Sequence, residues 1–328
     1  MRRMMYVQAV NQALREELAR DPGVFVLGED ITVLGGPFKT TDNLYKEFPG
    51  RVINSPISEA GLVGVGLGAA LTGLRPVIEI MFSDFMGIAM DQLFNQAAKA
   101  KYMFGGNIKV PLTVKTQQGG YTSSGPQHSS CLEAWIAHTP GLKVAMPSCP
   151  ADMYGLMKTA IRDDNPVVVF EHKAMYNLKG DVPDGEYTIP FGCADIKREG
   201  GDVTIIATSY MVTLALQAAG QLEKDGISAE VVDPRTLVPL DKQTIISSVK
   251  KTGRAVIVYE ANKTCGWGAE MAAIIAEEAF GSLNAPIARV AALQCPVPYS
   301  RPLELAMLPS AERIASAVKS ALRPPRAG

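Results

Sequence analysis

One stretch decides the fold of this 328-residue chain: Asn54-Ser-Pro-Ile-Ser-Glu-Ala-Gly-Leu-Val-Gly-Val-Gly-Leu-Gly-Ala-Ala70. It follows a short run that is typical of a strand, and glycines recur in and just after it, at positions 61, 64, 66, 68 and 73. Their spacing is that of a helix. Each glycine inside a helix costs roughly 1 kcal/mol of helix propensity. A close contact with another helix has to offset that loss, so the stretch predicts a helix with a smooth packing face.

The same order of strand, turn and helix recurs on both sides of this stretch. Short β-branched runs predict strands at Val24–Leu27, Val52–Asn54, Val77–Met81, Leu112–Lys115, Leu142–Met146 and Val167–Phe170. Helical patterns lie among them, at Tyr6–Ala19, Gly61–Leu74, Phe85–Tyr102, Ser130–His138 and Ala151–Asp163. Strands that alternate with helices predict an α/β fold, in which helices cover both faces of a parallel sheet.

A second block of the same kind follows an irregular segment. Asparagine, glycine and proline interrupt the pattern from about Met175 to Asp195, which is typical of a connection. Strand and helix patterns then resume and continue to Leu322. We therefore predict an N-terminal α/β domain over residues 1–185, a linker over 186–200 and a C-terminal α/β domain over 201–328, with a disordered tail at Pro324–Gly328.

Composition argues against several classes of partner and compartment. The 32 basic and 33 acidic side chains give a net charge of −1, whereas nucleic-acid binding needs a basic face. No apolar run reaches the ~20 residues of a membrane helix, and Met1–Met5 is followed by no apolar core of a signal peptide. Five cysteines without a CxxC pattern indicate reduced thiols, and therefore a cytoplasmic chain.

Glu59 stands at the predicted start of the glycine-rich helix. An acid there complements the helix dipole by up to ~1 kcal/mol, or forms a cap with Ser55, and neither role is catalytic. The flanks of Glu59 are largely apolar, however, and a carboxyl group buried among apolar groups is a usable acid or base near neutral pH. Gly64, Gly66 and Ala69 also fit the loose G-x-G-x-x-A dinucleotide pattern, which leaves nucleotide binding as an alternative.

Two further stretches are candidates for chemistry. The first, Gln117-Gln-Gly-Gly-Tyr-Thr-Ser-Ser-Gly-Pro-Gln-His-Ser-Ser-Cys131, follows a predicted strand. It therefore lies at the carboxyl edge of the sheet, where α/β proteins bind ligands. Its one histidine, His128, is either structural or functional on this pattern alone. The second, Ala160-Ile-Arg-Asp-Asp-Asn-Pro166, predicts a turn between a helix and a strand.

These three stretches together resemble the β subunit of the E1 component of 2-oxo acid dehydrogenase complexes, including the acetoin dehydrogenase branch. The resemblance covers nearly the whole chain. Short motifs carry it in a fixed order: Gly28-Glu-Asp30, Phe48-Pro-Gly-Arg51, Pro56-Ile-Ser-Glu59, Gly73-Leu-Arg-Pro76, Asp91-Gln-Leu93, Gln127-His-Ser129, Pro140-Gly-Leu-Lys143, Ile161-Arg-Asp163, Asn165-Pro166, Asp233-Pro-Arg-Thr-Leu237 and Pro296-Val-Pro298. The resemblance implies a first domain that holds the pyrimidine of thiamine diphosphate and a transketolase-type C-terminal domain.

The resemblance also implies roles for single residues. Glu59 matches the glutamate that hydrogen-bonds N1′ of the pyrimidine, and His128 matches the active-site histidine near the thiazolium. Met81 and Phe85 match positions that pack around the pyrimidine. The turn after the helix matches a potassium site that consists mainly of backbone oxygens, those of Leu112, Ala160, Ile161, Asp163 and Asn165.

Part of the implied cofactor site is missing from the sequence. Related thiamine enzymes hold the Mg²⁺ of the diphosphate with a Gly-Asp-Gly motif, but Gly-Asp occurs here only at Gly180 and Gly201, each time followed by valine. The resemblance therefore implies an α subunit that supplies the diphosphate and Mg²⁺ site in an α₂β₂ assembly, and an E2 lipoyl acyltransferase core as a second partner. Glu29 and Asp91 are candidates for acidic groups that link the two active sites.

The sequence leaves the substrate open. The resemblance implies oxidative decarboxylation of a pyruvate-like 2-oxo acid, with acyl transfer to the lipoyl group of E2. Tyr102-Met-Phe-Gly-Gly106 and Glu171-His-Lys173 are closer to acetoin dehydrogenase β subunits, and Ile88 stands where some members have glutamine. Acetoin cleavage is therefore an alternative. A transketolase-like enzyme that acts alone and a non-catalytic subunit that docks E2 are the others.

Overall fold

The structure, a computed structural model, describes residues 1–323, and the predicted tail at Pro324–Gly328 lies outside the described residues. Two compact units make up the chain. The first contains residues 1–119 and 127–191, and the second contains residues 120–126 and those from 192 onward. The first unit therefore ends inside the predicted linker, and the short segment 120–126 is grouped with the second unit.

Strands and helices alternate along the first unit. In chain order they are β1 (Arg2–Met5), α1 (Tyr6–Arg20), β2 (Val24–Gly28), α2 (Leu44–Glu47), β3 (Val52–Asn54), α3 (Glu59–Leu71), β4 (Arg75–Ile80), α4 (Ala98–Met103), β5 (Thr113–Gln118), α5 (Glu133–Ala137), β6 (Lys143–Ala145), α6 (Pro150–Arg162), β7 (Val167–His172) and β8 (Lys179–Val182). Shorter helical pieces are the 3-10 segment Ser83–Ala89, the π-helical segment Asp91–Ala97 and the 3-10 turns Pro126–His128 and Lys173–Met175.

The parallel strands of the first unit lie in the order β6-β7-β5-β4-β2-β3. All six residues of β7 and of β5 are buried, as expected for strands covered on both faces by helices. From β2 the chain crosses to β3 on one side and then returns to β4 on the other side of β2. The direction of the connections therefore reverses at β2, and α/β proteins bind ligands beyond the carboxyl ends of the strands at such a point.

Helix α3 begins two residues before the predicted start. Ser58 caps it, because the Ser58 hydroxyl oxygen accepts a hydrogen bond from the Gly61 backbone N–H at 3.3 Å. Ser55 is not the cap, since its hydroxyl donates to the Pro56 carbonyl at 2.7 Å. A Cβ at Gly66 would lie 2.6 Å from Ile78 Cγ1, so this glycine lets α3 rest on β4, whereas Gly68 faces open space.

The position of the glycines inside α3 excludes the dinucleotide interpretation. Gly64, Gly66 and Ala69 all lie within the helix rather than in a turn between a strand and a helix. A phosphate-binding turn needs its glycines before the helix, where the first backbone N–H groups are unpaired. The loose sequence pattern therefore arose from the helix-packing glycines.

Two other predictions differ from the structure. The predicted helix Phe85–Tyr102 is a succession of 3-10, π and α segments, which the apolar spacing alone does not distinguish. The predicted connection after Met175 contains β8, which pairs antiparallel with β1 and places Arg2 opposite Val182. The sequence of β8, Lys-Gly-Asp-Val, lacks the β-branched run that marks a strand.

The second unit has a smaller sheet. Its elements are β9 (Asp195–Arg198), β10 (Val203–Ala207), α7 (Tyr210–Glu223), β11 (Ala229–Asp233), β12 (Thr236–Val238), α8 (Lys242–Thr252), β13 (Ala255–Asn262), α9 (Trp267–Ala279), β14 (Ala288–Ala292), α10 (Arg301–Met307) and α11 (Ala311–Leu322). The strand order is β14-β13-β10-β11-β9, and only β9 runs antiparallel to its neighbour among these described strands. Helices α7 and α11 pack on it over a buried aliphatic core.

Among residues 1–323, none of the helices has both the length and the apolar character needed to cross a membrane.

Candidate active site

Three loops of the first unit begin at the point where the strand order reverses. Glu29 directly follows β2, Met81 directly follows β4, and Glu59 is the first residue of α3, which comes after β3. Because the carboxyl ends of parallel strands share one edge of the sheet, the fold gathers these residues at one side. Helix α3 also packs against the 3-10 segment that contains Phe85. The edge therefore combines acidic groups with an aromatic side chain.

Glu59 is buried without a partner for its carboxyl group. Only 5% of the residue is exposed, and its side chain forms no hydrogen bond or ion pair within residues 1–323. Its carboxyl oxygens are not among the fully buried side-chain atoms that lack a hydrogen-bond partner, so they keep some access to solvent. The carboxyl group of Glu59 is therefore available to a ligand that can share a proton with it, as a ring nitrogen can.

Glu29 is a second buried acid beside Glu59. Burial raises the pKa of the Glu29 carboxyl, and the negative charges of Glu59, Asp30 and Glu79 raise it further, against a lowering by the Ser58 backbone N–H. One carboxyl oxygen of Glu29 is buried and has no hydrogen-bond partner in the described chain. Burial and the neighbouring negative charges therefore disfavour the ionised form of Glu29. Asp91, by contrast, is exposed and accepts a hydrogen bond from Asn95 at 2.7 Å.

His128 lies in a cluster of aromatic rings. Its imidazole meets the Phe82 ring edge to face at 4.6 Å between centroids and the Phe85 ring at 5.6 Å. Phe82 and Phe85 themselves are 5.7 Å apart. The structure therefore brings together His128 and Phe85, two of the predicted site residues that lie far apart in the sequence. The rings restrict the orientation of the imidazole.

The backbone around His128 is fixed by the neighbouring loops of the first unit. The Ser83 hydroxyl donates to the Ser130 carbonyl at 2.7 Å, and the Ser130 N–H donates to the Asp84 carboxylate at 3.3 Å. The ammonium group of Lys173, which is almost fully buried, donates to the His128 carbonyl. Hydrogen bonds thus connect His128 to the segment after β4 and to the end of β7.

Phe82 and Lys173 were not identified from the sequence. Phe82 follows Met81 after β4, and Lys173 follows β7. Both stand directly after the carboxyl end of a parallel strand, which is a signal that the sequence contained. The sequence did not indicate that Lys173 contacts the loop of His128, because the two residues are more than forty positions apart in the chain.

A buried ion cluster crosses three neighbouring strands. Lys115 on β5 lies 2.5 Å from Glu79 on β4 and 3.1 Å from Glu171 on β7, and all three side chains are at most 1% exposed. Glu79 and Lys115 are direct register partners. Burial raises the pKa of the Glu171 carboxyl despite the nearby Lys115 charge, and Tyr176 donates to it at 2.7 Å. One buried cation therefore balances two buried acids.

The turn predicted to hold potassium is surrounded by basic side chains. One guanidinium nitrogen of Arg75 lies 3.1 Å from the carbonyl oxygens of both Ile161 and Asp163. Lys143 pairs with the Asp163 carboxylate, and Lys101 donates to the Asn165 side chain at 3.0 Å. Among residues 1–323, no group of three or more His, Cys, Asp or Glu side chains is arranged as a metal site.

Two further predicted potassium ligands are the carbonyl oxygens of Leu112, directly before β5, and of Ala160, near the end of α6. They accept hydrogen bonds from the backbone N–H groups of Val167 at 2.9 Å and of Asp163 at 3.2 Å. A carbonyl oxygen has two lone pairs, so each of these oxygens still has capacity for a hard cation. A cavity of about 580 Å³ also lies beside the turn, and its walls include Asn165, Lys101 and Tyr102. Neither Glu59 nor His128 lines that cavity.

Two family models match the chain over most of its length. Residues 2–179 match the family described as "Transketolase, pyrimidine binding domain", and residues 192–314 match "Transketolase, C-terminal domain". A similar solved structure is a split-gene transketolase described as an inactive beta4 tetramer, with a TM-score of 0.81, 26% identity and coverage of 97% of this chain and 98% of that one.

Curated relatives match over almost their full length. The acetoin:2,6-dichlorophenolindophenol oxidoreductase subunit beta of Cupriavidus necator is 45% identical, and the match covers 98% of each chain. The 2-oxoisovalerate dehydrogenase subunit beta of Bacillus subtilis is 45% identical over 96% of this chain and 98% of that protein. The pyruvate dehydrogenase E1 component subunit beta of the same organism is 47% identical over 92% and 93%. The chain therefore belongs to the family of E1 β subunits of the 2-oxo acid and acetoin dehydrogenases, which have a transketolase-type fold.

Proposed function

We propose that this chain is the β subunit of a thiamine-diphosphate-dependent E1 enzyme that decarboxylates a 2-oxo acid oxidatively and transfers the acyl group to the lipoyl group of an E2 protein. One observation carries the proposal. Glu59 is buried without a partner at the switch point of a pyrimidine-binding domain, and Phe85 of the adjacent segment lies against His128. Thiamine diphosphate supplies the carbanion-stabilising chemistry when it is bound.

Glu59 is proposed to hold and release a proton at a ring nitrogen of the pyrimidine. Its carboxyl group is buried and free of other hydrogen bonds in the described chain, so no competing donor has to be displaced. Glu59 lies in the first turn of α3, close enough to Glu29 for its charge to raise the pKa of the Glu29 carboxyl.

Met81 and Phe85 are proposed to pack around the pyrimidine, and His128 to act on the reacting substrate. The imidazole packs against two aromatic rings, and imidazole is the side chain that most often acts as a general acid or base. Lys173 fixes the backbone of the same residue. The cluster therefore presents one oriented acid or base and excludes water on its aromatic side.

A partner subunit is proposed to complete the site. The relatives carry the name subunit beta, and this chain lacks the Gly-Asp-Gly motif that would hold the Mg²⁺ of the diphosphate. The outer face of α3 offers a contact surface, because Gly61 and Gly68 are exposed there together with Val65, which is 59% exposed. We propose that an α subunit packs on this face and supplies the diphosphate half. Docking to an E2 core is a further proposed partner interaction.

Potassium is proposed to bind at the turn of residues 160–165, through backbone oxygens including those of Leu112, Ala160 and Ile161. A carbonyl-rich turn suits a hard monovalent cation, although the cation has to share two oxygens with the Arg75 guanidinium. The test compares thermal midpoints in potassium, sodium and choline chloride at equal ionic strength. A midpoint that is the same in all three salts contradicts the site.

Acetoin cleavage is the second candidate activity. Acetoin, 2-oxoisovalerate and pyruvate enzymes occur among the relatives at 45 to 47% identity, so similarity alone does not rank the substrates. The acetoin enzymes of two organisms match over 97 to 98% of this chain, and the stretch Glu171–Lys173 resembles theirs. Lys173 of that stretch donates a hydrogen bond to the backbone carbonyl of His128. The residues that resemble the acetoin enzymes therefore include one that contacts the proposed active-site histidine.

The deciding experiment is a turnover assay of the complex with a candidate α subunit. Pyruvate, branched-chain 2-oxo acids and acetoin are offered in turn, with thiamine diphosphate, Mg²⁺ and a dye as electron acceptor. Turnover with a 2-oxo acid is expected. Turnover with acetoin alone would move the assignment to the second candidate, and no dye reduction with any of the three would contradict the proposed function.

A further inference from the structure

The segment that leads to His128 has a strained backbone. Gly119, Tyr121, Ser123 and Gly125 all have φ in the left-handed region, at 90°, 65°, 54° and 79°. Two of them are not glycines, and a non-glycine residue in this region costs of order 1 to 3 kcal/mol. Such a conformation persists only where the surroundings determine it. The contacts of this segment therefore identify what holds it.

Glu304 is the main anchor of the segment. The side chain is completely buried, and its carboxylate accepts hydrogen bonds from the backbone N–H of Thr122 at 3.2 Å and of Ser123 at 3.0 Å. Arg301 completes the set, with one guanidinium nitrogen 3.0 Å from the carboxylate. Hydrogen bonds to a charged acceptor are roughly twice as strong as neutral ones. Consecutive backbone N–H groups that converge in this way form an anion-binding nest, and here the anion belongs to the protein.

Other contacts of the second unit support the same segment. The Gly120 N–H donates to the Glu260 carboxylate at 2.5 Å, and the Tyr121 hydroxyl donates to the Pro309 carbonyl at 2.7 Å. A Cβ at Gly120 would lie 2.7 Å from a methyl carbon of Leu308. The backbone from 120 to 123 is therefore held on both sides by residues of its own unit.

The segment anchored by Glu304 lies directly before His128 in the chain. Segment 120–126 ends two residues before His128, and the first unit binds the His128 carbonyl through Lys173. Pro126 begins the 3-10 turn that ends at His128, and its ring restricts the backbone at that point. The chain therefore has little freedom between the anchored segment and the imidazole.

We propose that Glu304 is a positioning residue, whose carboxylate holds the backbone of segment 120–126 and thereby orders the chain that leads into His128. The inference rests on the proposed role of His128 in the reaction. Glu304 does not reach the reacting atoms in this proposal, and it acts through the backbone alone.

The first test measures amide hydrogen exchange of the full chain without cofactor. Glu304→Gln keeps the size of the side chain and removes its charge. We expect the peptide that spans residues 119–131 to exchange about 10- to 100-fold faster, in line with the loss of a charged hydrogen-bond acceptor, while α8 is unchanged. Glu277→Gln on the exposed face of α9 is the matched control. Arg301→Met, at a side chain that is 51% exposed, is the milder variant if Glu304→Gln does not fold, and it should raise exchange in the same peptide.

The second test measures turnover of the complex in a double-mutant cycle. Glu304→Gln should lower kcat and leave the half-saturating concentration of thiamine diphosphate unchanged, because Glu59 lies on another segment. In a His128→Gln background it should cause no further loss. The inference would be overturned if the losses of turnover in the two single variants multiplied in the double variant. It would also be overturned if residues 119–131 exchanged at an unchanged rate in Glu304→Gln. Normal turnover of His128→Gln with faster exchange in Glu304→Gln would instead overturn the proposed role of His128, so the two failures are distinguishable.

Discussion

Single residues in the site differ chiefly in whether their charges are partnered. Glu304, Lys115 and Lys173 are buried and hydrogen-bonded within the chain. Glu59 is equally buried, but its carboxyl group has no partner among residues 1–323. Buried polar groups are normally paired, and the lack of a partner supports the proposal that Glu59 binds a ligand.

Glu59→Gln is expected to keep the fold and lose most turnover. A positioned acid or base contributes roughly 10²- to 10⁴-fold to the rate, and glutamine has nearly the same shape without the transferable proton. The assay is dye reduction by the complex, together with the thermal midpoint of the variant. Glu312→Gln, which removes a first-turn acid from α11, is the matched control and should retain activity. A Glu59→Gln complex with near-normal turnover would remove Glu59 from the mechanism.

Glu29→Gln is expected to stabilise the fold in a pH-dependent way. The pKa of Glu29 is raised in the folded chain by burial and by neighbouring acids, so the folded state binds the proton more tightly than the unfolded state does. The contribution of Glu29 to stability is then present below roughly pH 4 and is lost as the pH rises through the raised pKa. The thermal midpoint of Glu29→Gln should therefore exceed that of the wild type near neutral pH and converge with it in acid.

Glu312 provides a control for the pH dependence, because its pKa is shifted in the opposite direction to that of Glu29. Backbone hydrogen bonding at the start of α11 lowers the pKa of its carboxyl group, so its stabilising contribution is present near neutral pH and lost in acid. Glu312→Gln should therefore lower the thermal midpoint near neutral pH. If the thermal midpoints of the two variants changed with pH in the same way, burial and neighbouring acids would not explain the behaviour of Glu29.

At the scale of elements, α3 uses its glycines for two purposes. Gly66 faces inward and allows the helix to rest on β4, where a Cβ would meet Ile78. Gly68 faces outward, with no atom within 4 Å of a Cβ built there. The spacing of glycines in the sequence predicted a smooth helix, but it could not separate the inner face from the outer one.

Gly68→Leu is expected to preserve the isolated chain and weaken its assembly with an α subunit. Leucine improves helix propensity by up to roughly 1 kcal/mol, whereas its side chain blocks close approach of a second helix. Gly220→Leu in α7 is the matched control, since Gly220 is also a helical glycine with open space around it. Sedimentation of the mixed subunits measures assembly. Equal assembly of both variants would show that α3 is not the contact surface.

Lys115→Met is expected to destabilise the first unit by roughly 3 to 5 kcal/mol, because it leaves Glu79 and Glu171 buried without their cation. Lys109→Met is the control, as Lys109 is 71% exposed and pairs with Asp164 at the surface, where an ion pair contributes at most about 1 kcal/mol. Urea unfolding of both variants gives the difference. Similar free energies of unfolding would mean that the buried cation contributes no more than a surface one.

Much of the fold could be predicted from local patterns, and the limits have particular causes. Runs of β-branched residues located β7 and β10, because a strand that helices cover on both faces is largely apolar. Strand β8 was missed since its partner is β1, far away in the chain. For the site, Glu59 and His128 came from motif resemblance, whereas Lys173 could only be found from a contact that the sequence does not state.

At the scale of the whole molecule, the proposed function assigns only one part of the cofactor site to this chain. We expect thiamine diphosphate with Mg²⁺ to raise the thermal midpoint of the complex with an α subunit and to leave that of the chain alone nearly unchanged. Saturation at 100 times Kd corresponds to about 2.7 kcal/mol of stabilisation. Tight binding by the isolated chain would contradict the half-site, and no binding by either would contradict the proposed function.

Segment 120–126 also constrains recombination within this family. It lies inside the stretch that encodes the first unit, yet Glu260 and Glu304, which fix its backbone, come from the far end of the chain. The loop contributes backbone N–H groups to these bonds, so its own side chains matter less than the two carboxylates. A chimera that joins the first unit of this chain to the second unit of a relative should therefore be functional only if that second unit has acids at the positions of Glu260 and Glu304.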